Sequence, residues 1–367
     1  MKSNKSNKKG LAVFVKNLTS GGAEKQAVLL AKALQKDYDM HFVIFNGDKM
    51  HQKYLDMLAD SQQVKVAIFR GGHFKRFKEF VKYMKDNQIS LLFSYLTAAN
   101  LYACLASAFH PMKVVTGLRN ARLPWGKHLT DMVITNFFSS LTVANCYSGK
   151  EFFGRTGFRL SKIDVIPNCI ERINVSRKNG ADHTSPVRVI TVGRFVAQKD
   201  YETAIKVISQ VKEKGGNVNY DIVGFGELEE DIRQWVKTYH IDDIASFHIN
   251  PDHIDRLLEK ADIYLSTSLF EGTSNSIMEA MNADLPVICT DVGDNKYLVL
   301  DGKNGRLANI GDVDKMASDM LALVNDENLR NRMGDFSKKH LIEHYSVEAF
   351  RNKYIDVVEK VCGQSGI

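Results

Sequence analysis

A chain of 367 residues has room for two ordinary domains, and 44% hydrophobic with 25% charged side chains describes a globular protein rather than a fibrous or disordered one. No apolar run approaches the ~18–20 residues that span a bilayer, the start lacks the apolar stretch of a secretory signal, and five scattered cysteines without a C-x-x-C pattern indicate neither a disulfide frame nor a zinc site. The net charge of +6 hides an asymmetry: residues 1–185 carry 28 Lys and Arg against 13 Asp and Glu, a formal +15, whereas residues 186–367 come to −9. The first half is therefore suited to an anionic neighbour.

Residues 1–10 read as a disordered basic tail. Short β-branched runs follow at Leu11–Lys16, His41–Phe45, Val64–Ile68, Ile89–Tyr95, Lys113–Gly117, Leu141–Ala144 and Ile163–Ile166, with helical patterns between them such as Ala23–Gln35 and Ala98–Ala108. Strands alternating with helices imply a parallel sheet covered on both faces. The periodicity fades over 171–186, which reads as a linker, and restarts with strands at Val187–Gly193, Val218–Val223, Ile263–Ser266, Pro286–Thr290 and Gly305–Ala308. The expected architecture is α/β: a first Rossmann-like domain over 11–170, a second over 187–345, and a final helix in 346–367 packing back on the first. Folds of this kind bind ligands beyond the carboxyl ends of their strands, which predicts a ligand cleft between the two domains.

The first strand runs into Asn17-Leu18-Thr19-Ser20-Gly21-Gly22-Ala23-Glu24. Gly21 and Gly22 let backbone approach a phosphate or sugar at a helix N-terminus, although the same residues also describe a plain turn capped by Ser20 or Thr19. In the second half, Gly193-Arg194 and Lys199-Asp200 put two cations at a strand's carboxyl edge, where they can neutralise a diphosphate. The segment Phe270–Met281 leads from a strand into a helix. Glu271 lies in its loop, Ser274 or Asn275 can cap the helix, and Glu279 sits about one turn inside, able to accept two ribose hydroxyls.

Taken together, Gly-Gly-x-Glu at 21–24, Ile166-Pro167-Asn168, Gly193-Arg194 with Lys199-Asp200, Val223-Gly224-x-Gly226-Glu227 and Glu271-x7-Glu279 resemble, in order and spacing, the retaining glycosyltransferases of family 4. That resemblance implies the GT-B fold, with two Rossmann-like domains and a donor-binding cleft between them. It also implies transfer of a sugar from a nucleotide-diphosphate donor, UDP-linked by expectation, to a lipid-linked or polysaccharide-precursor acceptor, with no metal and no cofactor beyond the donor. By position it assigns Gly21, Gly22, Gly193, Arg194 and Lys199 to the phosphates and Glu271 to the transferred sugar. Thr273, Ser274, Asn275, Ser276 and Ile277 fall to the sugar and phosphate, Glu279 to the ribose, and Phe225, Ile249 and Asn250 to the base. Thr116–Arg122 resembles an Arg-Asn variant in which Arg119 stands in for a histidine of many relatives. Arg119 then joins Arg194, Lys199 and Glu271 as a catalytic candidate, with Asn120 and Arg122 toward the acceptor.

Other assignments weighed are a sugar-nucleotide epimerase, which needs an acid–base pair the sequence does not offer, and a non-catalytic nucleotide-sugar-binding subunit. A nucleic-acid binder would be opposed by the acidic second half. Asp37-Tyr38-Asp39 has the form of a metal-binding D-x-D but falls between a helix and a strand, away from the expected cleft. Finally, Arg70–Lys85 shows Phe74, Phe77, Val81 and Met84 at helical spacing, flanked by Lys75, Arg76, Lys78 and Lys82. Such a helix can lie on an anionic membrane surface or simply face the core. With reduced thiols, this gives the expectation of a cytoplasmic enzyme peripheral on the inner face of the plasma membrane.

Overall fold

The computed structural model describes residues 8–19, 21–119, 124–171 and 186–363. The chain forms two compact units, one comprising Met1–Cys169 and Val347–Ile367, the other Ile170–Ser346. The expected tail and linker lie almost wholly outside the described residues.

The first unit holds seven strands: β1 (Gly10–Val15), β2 (Asp39–Ile44), β3 (Val64–Ile68), β4 (Ile89–Tyr95), β5 (Lys113–Leu118), β6 (Leu141–Ala144) and β7 (Ile163–Val165). Every pairing is parallel, in the order β3-β2-β1-β4-β5-β6-β7. Successive strand side chains point to opposite faces, and β1 shows the result. Leu11, Val13 and Val15 enter one apolar layer, while Ala12 and Phe14 enter the other. The first layer is closed by the helix Gly22–Leu34 and by the C-terminal helix Val347–Gly363, which contributes Phe350, Tyr354, Val357, Val358 and Val361. Arg351 fixes that helix with a bidentate pair to Asp37, at 2.9 and 2.6 Å.

The second unit holds β8 (Val187–Val192), β9 (Val218–Gly224), β10 (Ala245–Ile249), β11 (Ile263–Ser266), β12 (Val287–Thr290) and β13 (Gly305–Ala308), all parallel, in the order β10-β9-β8-β11-β12-β13. Alternation again sorts Val189 and Ile190 into opposite layers. β10 is an element the sequence reading did not expect. Its Ala-Ser-Phe-His-Ile run is an edge strand without a fully buried residue, so it carries no apolar signature.

Strand order reverses between β1 and β4 in the first sheet and between β8 and β11 in the second. The loops after those strands diverge to opposite faces and leave a crevice at the carboxyl edge, the place where open α/β sheets take ligands. This topology brings the loop after β8 beside the loop after β11.

Asp37 and Asp39 lie half-buried at the turn into β2, where Arg351 pairs with the first and Lys65 with the second at 2.7 Å. One expectation about charge is corrected. The helix His73–Asp86 turns Phe80 and Met84 fully into the core and half-buries Phe77 and Val81, while Phe74 stays 94% exposed. Arg76 shares that inward side, bonding Asn46 and lying 5.3 Å from the Phe45 ring centre, so it cannot face a membrane. Lys75, Lys78 and Lys82 remain exposed. Among the described residues, no helix is long and apolar enough to cross a membrane.

Candidate active site

The site in the second unit is built by lashing the loop after β8 to the loop after β11. Beyond Val192 the chain runs through Gly193, Arg194 and Phe195 into a 3₁₀ turn, Ala197–Lys199. Asp200 follows in the left-handed region (φ +46°) and caps the helix Tyr201–Glu213 by accepting from the Thr203 N–H. Thr267, just past β11, donates its hydroxyl to the carbonyls of Lys199 (3.1 Å) and Asp200 (2.7 Å). Leu269 N–H donates to the Gln198 carbonyl, and the Gln198 amide returns the bond to the Phe270 carbonyl at 2.7 Å.

This scaffold sets the Lys199 ammonium 2.6 Å from Glu271 Oε1, with the two side chains only 16% and 10% exposed. Ser268 donates to the same carboxylate oxygen at 2.8 Å, and its own carbonyl accepts from the Thr290 hydroxyl at 2.6 Å. An ammonium has three donors, so Lys199 keeps capacity for an anion while bound to Glu271. Arg194 is exposed, and no side-chain hydrogen bond or ion pair is described for it. The cations at this edge are thus one ion-paired ammonium and one exposed guanidinium.

Gly293 makes the arrangement possible. Its φ is +56°, and a Cβ there would lie 2.0 Å from the Glu271 carbonyl oxygen. Gly224 (φ +155°) does the same on the other side, where a Cβ would come within 1.8 Å of the Gly193 carbonyl.

The helix Asn275–Asn282 starts beside this pair. Ser274 caps it by accepting from the Ile277 N–H, and the neighbouring N–H groups of the first turn have no partners within the helix. Thr273, Ser274 and Ile277 are buried, Ser276 and Glu279 half-buried, and Asn275 exposed. Tyr264, on β11, donates its hydroxyl to the Val192 carbonyl at 3.1 Å. Burial pushes that phenol up, Ser276 opposes the shift by a hydrogen bond, and the charges of Glu279 and Glu271 add to it.

The residues expected at the base also meet. Gly224 and Ile249 are register partners across β9 and β10. Phe225 is 52% and Ile249 41% exposed, and Asn250 (φ +43°) donates its N–H to the Gly224 carbonyl. Phe225 is held to the Arg194 loop through Phe195 N–H to its carbonyl, at 2.8 Å.

In the first unit, Gly21 is the N-cap of the helix Gly22–Leu34 and makes no side-chain cap bond, and the Glu24 carboxylate folds back over that helix start, 2.3 Å from where a Gly21 Cβ would stand. Thr19 donates to the nearly buried Glu24 at 2.8 Å, and the Tyr54 hydroxyl donates to the Gly21 carbonyl. Arg119 departs from the position expected of a substrate-facing group. It is 8% exposed, stacks 4.3 Å from the Tyr95 ring centre and donates from Nη2 to the Tyr354 hydroxyl at 2.9 Å. Attraction to the ring face and the phenol turns it toward the C-terminal helix. Among the described residues, its Nε and Nη1 have no hydrogen-bond partner. Replacing Tyr354 by Phe is expected to cost about 1–3 kcal/mol by orphaning that charged donor, read as a lower urea midpoint at unchanged slope. Asn120 and Arg122 lie outside the described residues.

Sequence reading singled out Lys199 and Glu271 but not Ser268, Thr267, Thr290, Gly293 or Tyr264, which hold them. A Gly after Asp291-Val292 at the end of β12 was the one available signal.

Residues 172–340 match the family model described as "Glycosyl transferases group 1". A protein of Haemophilus influenzae described as an uncharacterized glycosyltransferase is 25% identical over 93% of this chain and 97% of its own. A Campylobacter jejuni N-acetyl-D-galactosaminyltransferase, named for a diphospho-undecaprenol-linked glycan substrate, is 22% identical over 96% and 98%. Among solved structures, Anabaena Alr3699/HepE in complex with UDP superposes with a TM-score of 0.81 at 18% identity, covering 96% of this chain and 100% of that one. The fold is therefore GT-B, and the second unit carries the match to the group 1 glycosyl transferases.

Proposed function

We propose that the protein is a retaining, metal-independent glycosyltransferase of family 4 that moves a sugar from a UDP-sugar to a lipid-linked or polysaccharide-precursor acceptor. The observation that carries this reading is the Lys199–Glu271 pair at the switch point of the second sheet, with exposed Arg194 and the start of the helix Asn275–Asn282 around it. Arg194, Lys199 and the N–H groups of residues 275 and 276 bind the donor diphosphate and stabilise the charge that grows on it as the sugar departs. Glu271 and Thr273 meet the sugar hydroxyls, Glu279 holds the ribose, and Phe225 with Ile249 and Asn250 lies along the base. Gly193 leaves room for Lys199 to turn, since a Cβ there would come 3.2 Å from the Lys199 Cε.

No second carboxylate suited to a covalent sugar intermediate stands in this reading, so the acceptor attacks from the face the diphosphate leaves, and a diphosphate oxygen takes its proton. Gly21 and Gly22 offer a second helix start to an anion once the Glu24 carboxylate that lies over it moves aside. Arg119, buried with two donors unpartnered among the described residues, contributes a fixed positive charge behind the end of β5. The UDP donor is supported by the UDP complex of the Anabaena structure, and the lipid-linked acceptor by the substrate named for the Campylobacter relative.

Thermal unfolding with UDP, GDP and ADP tests the donor. UDP at 100 times its dissociation constant adds about 2.7 kcal/mol of stability. The shift should survive a chelator and vanish in Glu279→Ala. No shift with any nucleoside diphosphate would remove the donor assignment, and NMR of the product's anomeric proton decides between retention and inversion.

A further inference from the structure

The helix Thr97–Ser107 of the first unit is apolar on two sides. Ala99, Ala103 and Ala106 face the core, yet Leu101 and Leu105 remain 41% and 48% exposed on the other side. The adjoining helix Trp125–Val133 and its π-helical continuation Ile134–Phe138 repeat the anomaly. Trp125 is 80%, Phe137 64% and Phe138 63% exposed. Between the two helices lies a groove of about 500 Å³ lined by Leu101, Leu105, Leu129, Val133, Ile134 and Phe138. A surface helix of a globular protein ordinarily turns its apolar stripe in and its polar residues out, and a contiguous exposed apolar surface marks a site of interaction.

Acidic side chains are sparse in the segments that build the groove. From Thr97 to Lys150 the single acidic residue is Asp131. It is buried, accepting from Thr97 and Asn100, and burial pushes its carboxyl above the usual range. Basic residues border the apolar surface. Lys162 donates to the Ser139 carbonyl and acts electrostatically on the Cys104 thiol of the groove wall, while Arg159 lies 5.2 Å from the Phe137 ring centre. On the far flank, Phe109, 69% exposed, packs edge-on to Phe77 of the lysine-bearing helix His73–Asp86.

We propose that this groove and its basic rim dock the protein on an anionic lipid bilayer, with Leu105, Val133 and Phe138 entering the hydrocarbon and the groove receiving a lipid chain. Apolar area sunk at the headgroup boundary and cations facing anionic headgroups act together in such binding. The assignment rests on the reading that the acceptor is lipid-linked, and it moves the membrane contact from the stripe of His73–Asp86, whose Met84 and neighbouring Phe80 the core takes, to the neighbouring helices.

The test is co-sedimentation of the full chain with vesicles of equal parts phosphatidylglycerol and phosphatidylcholine, and with phosphatidylcholine alone. The wild type should partition onto the anionic vesicles, and the Leu105→Gln/Val133→Gln/Phe138→Gln variant at least about tenfold less. The variant's melting temperature and UDP response should match those of the wild type, showing that it is folded. In a Trp235→Phe background, Trp125 emission should shift to the blue on adding anionic vesicles. Equal partition of wild type and variant, or an unmoved Trp125 spectrum, overturns the groove while leaving membrane binding standing. A wild type that ignores both vesicles overturns the docking surface, but a UDP response and transfer to a water-soluble acceptor would still uphold the transferase. A wild-type dimer that the triple variant turns to monomer in buffer makes the groove a self-association surface and also overturns the proposal.

Discussion

Lys199→Ala should lower kcat/KM for sugar transfer by about 10²–10³-fold, the usual cost of losing one group that stabilises charge developing in the transition state. A second effect must be separated from this one. The Lys199 ammonium is the cationic partner of Glu271, 2.6 Å away and largely shielded from water, so its removal strands a carboxylate. Ser268 still donates to that oxygen, which limits the loss to about 1–3 kcal/mol. For a unit of this size that is roughly 2–4 °C of melting temperature per kcal/mol. The companion variant Lys199→Ala/Glu271→Gln carries no stranded charge. It should recover most of the melting temperature and none of the turnover. A double variant that regained turnover would make the pair a structural brace, and a single variant with wild-type kcat/KM would remove Lys199 from the chemistry.

Gly293→Ala should be among the most damaging single-methyl changes in the second unit outside its cores. The residue combines a left-handed backbone (φ +56°) with a carbonyl of the Glu271 loop 2.0 Å from where a Cβ would stand. Backbone on both sides leaves no flexible side chain to yield. The expected cost is about 3 kcal/mol, or roughly 6–12 °C of melting temperature, together with a weaker UDP response because Glu271 and Ser268 are displaced. Gly311→Ala is the control: φ is similar at +75°, but nothing lies within 4 Å of its Cβ position, so it should lose about 1 kcal/mol at most from backbone strain. Equal melting temperatures for the two variants would show that the contact with the Glu271 loop is immaterial.

Much of the fold was legible because buried parallel strands are written as apolar runs. β3, β4, β6, β11 and β13 have the bounds their β-branched stretches gave. β10 escaped since an edge strand needs no such run. At the site, the sequence supplied which residues could bear charge but not which way they turn. Lys199 and Glu271, 72 positions apart, meet because strand order places their loops side by side, and the alternation of strands and helices allowed that to be expected. Arg76 and Arg119 carry the same formal charge as Arg194, yet both are drawn inward, one by Asn46 and Phe45, the other by Tyr354 and Tyr95. Those partners come from remote strands or from the last helix, and no local pattern announces them. Thr267, Ser268 and Thr290 were silent for the same reason: a short hydroxyl becomes structural only when a distant carbonyl or carboxylate arrives.

The chain enters the second unit at Ile170 and leaves it at Ser346, so the first unit is assembled from two separated stretches. During synthesis the second unit is complete as a continuous segment and is free to fold while the ribosome is still at work. The first must wait, because Phe350 and Tyr354, which seal its layer over Phe93 and Tyr95, are made only after the whole of the second unit. Until they emerge, that layer stands open to other chains in the cell, which makes the nascent first unit, though translated earlier, the later to mature and the natural client of a chaperone.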